Sequence, residues 1–209
     1  MTIVNTSVWA GSLANGRFPM RFWATALLLV FASGLFASTE PVELPEPPEG
    51  FEWVRLPEVS GAFLKPVSWH FLAEERNGVQ GYFLTKEDIQ ADKEFLTGLT
   101  INVIRDSLGI MHLSASDFAR AFIGMAAETD DEEVIHSWES SVSTLESFGV
   151  RVRNVSDPEA PIIMHRLAIG NSATDTLHLI TFESPEPEWE EAWEVGEVML
   201  KMFLIDDEI

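Results

Sequence analysis

The chain has 209 residues, 46% of them hydrophobic, no cysteine, and 34 acidic against 13 basic side chains, for a formal net charge of −21. The missing cysteines exclude disulfide staples and a lipidated cysteine, and a negative field of this size excludes nucleic acid, whose phosphates need a basic patch. Stability must come from burial, and the length suffices for one ordinary domain with a sizeable core.

Arg21 stands before an apolar run, residues 22–37, that is closed by the small residues Ala32, Ser33, Gly34, Ala37 and Ser38. A run of about 16 residues suits the apolar region of a signal peptide and falls short of the roughly 20 that span a bilayer. Cleavage is expected near Ala37; an uncleaved anchor is the alternative. Residues 1–19 carry one charge, Arg17, and read as an unstructured leader, or as an over-long start with Met20 as initiator. The expected organisation is therefore a leader and signal peptide over 1–37, a Pro/Glu-rich linker over 38–50, and one globular α+β domain over 51–209. In the linker, proline fixes φ and donates no hydrogen bond while the glutamates repel one another, which favours an extended tether.

Phe51-Glu52-Trp53-Val54-Arg55-Leu56 alternates apolar with polar for much of its length, the period of a half-buried strand, and Pro57 ends it. Residues 69–73 and 80–85 flank Asn77-Gly78, a pair that accepts the positive φ values of a tight hairpin turn. Leu99 to Ile104 is a further strand, rich in β-branched residues. Ser114 then reads as an N-cap with Asp117 three residues on, ahead of a helix whose stripe is Phe118, Ala121, Phe122 and Met125. Ile135, Trp138, Val142, Leu145 and Phe148 recur at spacings of three and four and predict a second helix, with Gly149 as its left-handed cap. Strands follow over 150–155, 162–169 and 176–183. The last is apolar on both sides, so it is expected to be covered on both. Ser184-Pro185 reads as cap and first-turn proline of a closing helix with Trp189, Trp193, Gly196, Leu200 and Phe203 or Leu204 on one stripe.

This order of elements, with Lys65-Pro66-Val67-Ser68-Trp69 after a first strand, the hairpin through Asn77-Gly78 to Tyr82, the Thr97-Gly98-Leu99-Thr100-Ile101 strand and the long terminal helix, resembles the PsbP/DcrB-like family. The family usually has Pro-x-Gly-Trp, and here Ser68 precedes Trp69. The resemblance covers roughly residues 51–205 and implies an antiparallel sheet with helices packed on both faces, an α/β/α sandwich. It also implies an accessory or scaffold role on the far side of a membrane, and it transfers no catalytic residue.

Chemistry is sparsely signalled. There is no Gly-x-Ser-x-Gly elbow, no glycine-rich phosphate loop and no His-Glu-x-x-His. His70, His112, His136, His165 and His178 are scattered; His178 reads as a hydrogen-bonded core residue, and His165 with His178 is the one pair that paired strands would bring face to face. The run Asp130-Asp131-Glu132-Glu133 lacks calcium-loop spacing and reads as a solvated charge run. Glu183, Glu186 and Glu188 beside Trp189 and Trp193 have the residue types of a glycosidase site, though the tryptophans read first as core. Asn154-Val155-Ser156 matches a glycosylation acceptor. No catalytic, cofactor-binding or metal-binding residue is assigned, and no cofactor is expected. The sequence thus points to a periplasmic or secreted, non-enzymatic protein that binds a partner, expected among envelope proteins, through the surface between the acidic run and the terminal helix. Membrane contact is expected only if the leader stays uncleaved. A hydrolase with a site assembled from distant residues, or a carrier of a small apolar ligand, is the alternative.

Overall fold

The computed structural model describes residues 44–205 except 60, 90–93 and 127, within the unit Glu43–Ile209. The apolar leader, its cleavage point, the start of the linker and the closing Asp206-Asp207-Glu208 lie outside the described residues.

Two antiparallel sheets frame the described residues. β1 (Phe51–Leu56) and β2 (Gly61–Pro66) pair end to end, from Phe51 opposite Pro66 to Leu56 opposite Gly61. The segment ahead of β1 is tied to this hairpin by Trp53 Nε1 donating to Pro45 O at 2.7 Å and by Val67 N donating to Gly50 O at 2.9 Å. Buried Lys65 on β2 donates to Trp69 O at 2.7 Å and pairs with Glu52 at 2.7 Å, which gives the Lys65-to-Trp69 phrase a role in fixing the path out of the hairpin.

The second sheet has seven strands in the order β3-β4-β5-β9-β8-β7-β6, every neighbouring pair antiparallel. Its strands are β3 (His70–Arg76), β4 (Val79–Thr85), β5 (Gly98–Ile104), β6 (Glu132–Val142), β7 (Leu145–Asn154), β8 (Ile162–Asn171) and β9 (Thr176–Pro185). Asn77 and Gly78 turn β3 into β4 with φ of 55° and 79°, the demand that made the pair legible.

The expected helix over 135–148 does not exist. β6 and β7 form a hairpin instead, turned by Ser143 at φ 56° and Thr144. β6 is an edge strand exposed on almost its whole length, so its apolar residues follow no alternation, and their three-and-four spacing is not a buried stripe.

Among the described residues three α-helices complete the fold: α1 (Ser107–Met111), α2 (Ala115–Ala126) and α3 (Trp189–Lys201). Ser114 caps α2 as expected, its Oγ accepting from Asp117 N at 3.2 Å and donating to Asp117 Oδ2 at 2.6 Å. The buried stripe is rotated from the expected one: Ala115, Phe118, Ala119, Ile123 and Ala126 face inward, while Ala121 and Met125 are exposed. Asp175, at φ 53°, ties both helix starts together: its carboxylate accepts from Leu108 N at 2.6 Å and Ala115 N at 2.8 Å. Ser184-Pro185 does not open α3. β9 runs through Pro185, paired with Ile162, Ser184 Oγ sits 3.3 Å from Thr97 Oγ1, and a 3-10 turn over Glu186–Glu188 precedes the helix.

Alternate residues of the central strands divide between two core clusters. Leu99, Ile101, Val103, Ile180 and Phe182 join α3, β1 and β2. Ile104, Phe148, Val150, Val152, Met164 and Leu177 join α2. Gly196 lets α3 sit low: a Cβ there would lie 2.8 Å from the Phe182 ring, so the approach foreseen from sequence is realised. Among the described residues no helix is long and apolar enough to cross a membrane.

Candidate functional site

The register across the β6 end of the sheet sets His136, Arg151, His165 and Phe182 in one row over four strands, with Trp138 opposite Gly149 beside it. Only glycine fits under that indole: a Cβ on Gly149 would lie 2.6 Å from Trp138 Nε1 and closer still to two ring carbons. Trp138 therefore lies flat across β7 and reaches His165 on β8, with ring centres 4.7 Å apart. On its far side His165 meets Trp193 of α3 at 4.5 Å, and Trp193 stacks on Trp189 at 5.3 Å. His136 stacks on the outer end of Trp138 at 5.7 Å. The result is a continuous ladder of rings from the sheet edge to the terminal helix.

Arg151 is threaded into this ladder. Its guanidinium lies 4.1 Å over Trp193 and 5.1 Å over Trp189, and its Nη2 is 3.2 Å from His165 Nδ1. A guanidinium only donates, so Nδ1 accepts and the imidazole proton sits on Nε2. Burial, then the charge of Arg151, then His136 push the His165 pKa down to about 3, leaving a neutral ring at any ordinary pH. Burial also lowers the Arg151 pKa, against Glu190 and Glu197, but guanidinium stays charged.

Acidic groups flank the ladder at Arg153 and lie on the opposite face of the sheet at Arg166. Arg153 Nε and Nη2 hold both oxygens of Glu186, at 2.7 and 2.9 Å, and Nη1 reaches Glu133 at 3.3 Å. The Arg153 hydrogen bonds hold Glu186 below the usual carboxylate range. Glu132, with side chain 7% exposed, takes a two-pronged pair from Arg166 at 2.6 and 2.7 Å. Glu132 is thus structural, while Glu133 pairs with Arg153 from an exposed position and the rest of the acidic run is solvated. Near Arg166, burial raises the Glu183 pKa to about 7, with Arg166 opposing.

Between α2 and the β6–β7 hairpin lies an open groove of about 420 Å³, walled by Ile123, Val134, Phe148 and Val150 and bordered by Arg120 and Glu139. Arg120 lies 4.6 Å over the Phe148 ring and 3.9 Å from Glu139.

The residues singled out from sequence are dispersed. His165 lies opposite Phe182 and His178 opposite Ile169, so the two histidines are not a facing pair, and no cluster of three or more candidate metal ligands occurs among the described residues. His178 is buried as expected, yet its Nδ1 has no hydrogen-bond partner, and burial lowers its pKa to about 4. His70 is exposed, 3.8 Å from Asp88, and His112 ends α1 at φ 61°. Glu186 pairs with Arg153 and Glu188 with Lys86, while Glu183 belongs with Arg166, so the three form no carboxylate pair across a cleft; Trp189 is core. Asn154 Oδ1 accepts from Ser156 N and Oγ at 3.1 and 2.6 Å, and its Nδ2 donates to Glu132, which occupies the would-be acceptor. The ladder members Trp138, Gly149 and Arg151 were not singled out as a site; their signal is a lone tryptophan between Ser137 and Glu139 with a glycine on the following strand, visible only once the hairpin is known.

No protein-family profile matches the chain, and no curated protein matches it in sequence. Solved structures similar to it include the cyanobacterial PsbP (CyanoP) of Synechocystis sp. PCC 6803, 14% identical with a TM-score of 0.47, covering 79% of this chain and 99% of that one. The Ran-binding protein Mog1p of Saccharomyces cerevisiae is 16% identical with a TM-score of 0.45, covering 74% and 95%. PA94 of Pseudomonas aeruginosa, a protein of unknown function, is 12% identical with a TM-score of 0.38, covering 71% and 94%.

Proposed function

We propose that this is an exported, non-enzymatic accessory protein that binds a partner protein, an envelope protein in the periplasm or outside the cell, through the ladder face between the acidic run and α3. One observation carries the reading: half-buried Trp138, Trp193 and Arg151 sit together at the sheet margin, ringed by Glu133, Glu186 and Glu190. Tryptophan and arginine set in an apolar centre with a polar rim are the residue types that dominate protein interfaces. The neutral, doubly flanked His165 has no carboxylate partner among the described residues to make it an acid or base, which favours recognition over turnover.

Export rests on Arg21 and the apolar run to Ala37, with the division 1–37, 38–50 and 51–209 retained. The architecture is taken as a sheet with helices on both faces; the sorting of alternate strand residues into an α2 cluster and an α3 cluster supports it. The test is site-specific photo-crosslinking in the full chain, with benzophenone at His136 or Glu190 and, as control, at Leu108 on α1. One partner band is expected from the first two positions and not the third, in the exported fraction. Equal labelling from Leu108, or a cytosolic protein with its leader intact, refutes the proposal.

A further inference from the structure

We infer that the free edge of β6 takes an extended, basic segment of the partner as an eighth strand, one of whose large apolar side chains enters the groove beside α2. This rests on the partner-binding reading above and specifies its chemistry. Among the described residues nothing pairs with the outer side of β6, and the run 136–142 beyond the bulge at Ile135 is regular and fully in register with β7. Edges of this kind are ordinarily guarded by lysine, proline or paired charges. His136-Ser137-Trp138-Glu139-Ser140-Ser141-Val142 holds one charged residue and no proline, and Val142 is 71% exposed. The opposite edge is guarded: β3 ends Glu74-Glu75-Arg76, and the Gln80 side chain already caps Glu74 O.

Charge and shape name the occupant. The cations of this region are committed, Arg120 over Phe148, Arg151 over the indoles, Arg153 to Glu186 and Arg166 to Glu132. Exposed Glu128, Asp130 and Asp131 at the start of β6 meet no cation among the described residues. An incoming strand would thus be basic. A second copy, itself at −21, would bring the same acidic edge against it. Strand addition supplies main-chain hydrogen bonds, and a groove at the margin supplies side-chain choice. Here Ile123, Val134, Phe148 and Val150 make that groove apolar, and its volume of about 420 Å³ accommodates an aromatic ring.

The probe is a fluorescein-labelled heptapeptide alternating Lys with Val around a central Phe, titrated against the intact protein by anisotropy. Two versions N-methylated on alternate residues block one or the other backbone side; one should bind about tenfold more weakly than the other. Gly124 borders the groove, and a Cβ there would meet nothing within 4 Å, so Gly124→Leu puts its side chain into the groove with no clash at its first carbon. It should weaken the Phe peptide about tenfold and leave a central-Ala peptide within about twofold. Bound peptide should slow amide exchange across 136–142. No binding, equal binding of both methylated versions, indifference to Gly124→Leu, or pairing of β6 with a second copy on sizing overturns the inference. If crosslinking from His136 and Glu190 survives such a failure, strand addition alone falls; if the crosslinks fail, the interface reading falls too.

Discussion

Replacing Gly149 by alanine should reverse its effect on stability according to what residue 138 is. With Trp138 present, the added methyl would stand 2.6 Å from Nε1, against roughly 3.5–4.0 Å for relaxed contact, so the indole must retreat by about 1 Å or more. It cannot do so freely, because His165 and His136 engage the same ring. Overpacking of this kind costs about 1–3 kcal/mol, and the disturbed ring contacts add about 0.5–1.5 kcal/mol. Against this, alanine is better than glycine in a strand by roughly 0.5–1 kcal/mol. The net expectation is a loss of about 2 kcal/mol for Gly149→Ala. In a Trp138→Ala background the obstruction is gone and only the strand preference remains, so the same change should stabilise by about 0.5 kcal/mol. Urea unfolding of all four proteins, followed by far-UV circular dichroism, gives the coupling directly, expected at about 2–3 kcal/mol. Equal destabilisation in both backgrounds would refute the reasoning.

Three further outcomes rest on the same structure. Asp175→Ala removes the acceptor shared by Leu108 N and Ala115 N and puts alanine at φ 53°; a loss of about 3 kcal/mol is expected, with Asp175→Gly milder by about 1 kcal/mol because glycine tolerates that φ, and Asp175→Asn mildest. Thermal melts rank them, and alanine performing as well as asparagine would contradict the assignment. Glu183, with a pKa raised from 4.5 to about 7, contributes stability fully below about pH 4.5 that is lost as pH rises through 7. Glu183→Gln should therefore gain roughly 2 kcal/mol over wild type at pH 8 and nothing at pH 4. His165 and His178, lowered from 6.5 to about 3 and 4, act oppositely, their share being present above pH 6.5 and lost on acidification, so the glutamine variant should lose stability steadily from pH 7 to 4. Urea midpoints at pH 4, 6 and 8 check both, and a gain independent of pH would count against burial as the cause.

What the sequence disclosed depended on whether local chemistry or long-range pairing set the structure. The Asn77-Gly78 turn, the Ser114 cap, the strands at 51–56 and 99–104 and the close pass of Gly196 are local or dictated by one face of burial, and all were legible. β6 was misread because an edge strand exposed over almost its whole length has no buried alternation to impose a period, so the chance spacing of Ile135, Trp138 and Val142 won. That single error hid the site. With β6 as a helix, Trp138 cannot meet Gly149 or reach His165, and the outer half of the ladder is missing. Glu132 alone departs from the solvated run for a related reason: it finds Arg166 only through strand neighbours far along the chain.

The near-parallel overlap of Trp189 and Trp193, centres 5.3 Å apart and planes at 15°, has an optical consequence. Two indoles so close couple their excited states, which gives the protein a built-in chromophore pair. Because Trp193 also borders His165 and Arg151, anything that shifts those groups changes the coupling and the emission with it. A ligand settling at the sheet margin would thus announce itself in the ultraviolet without a label.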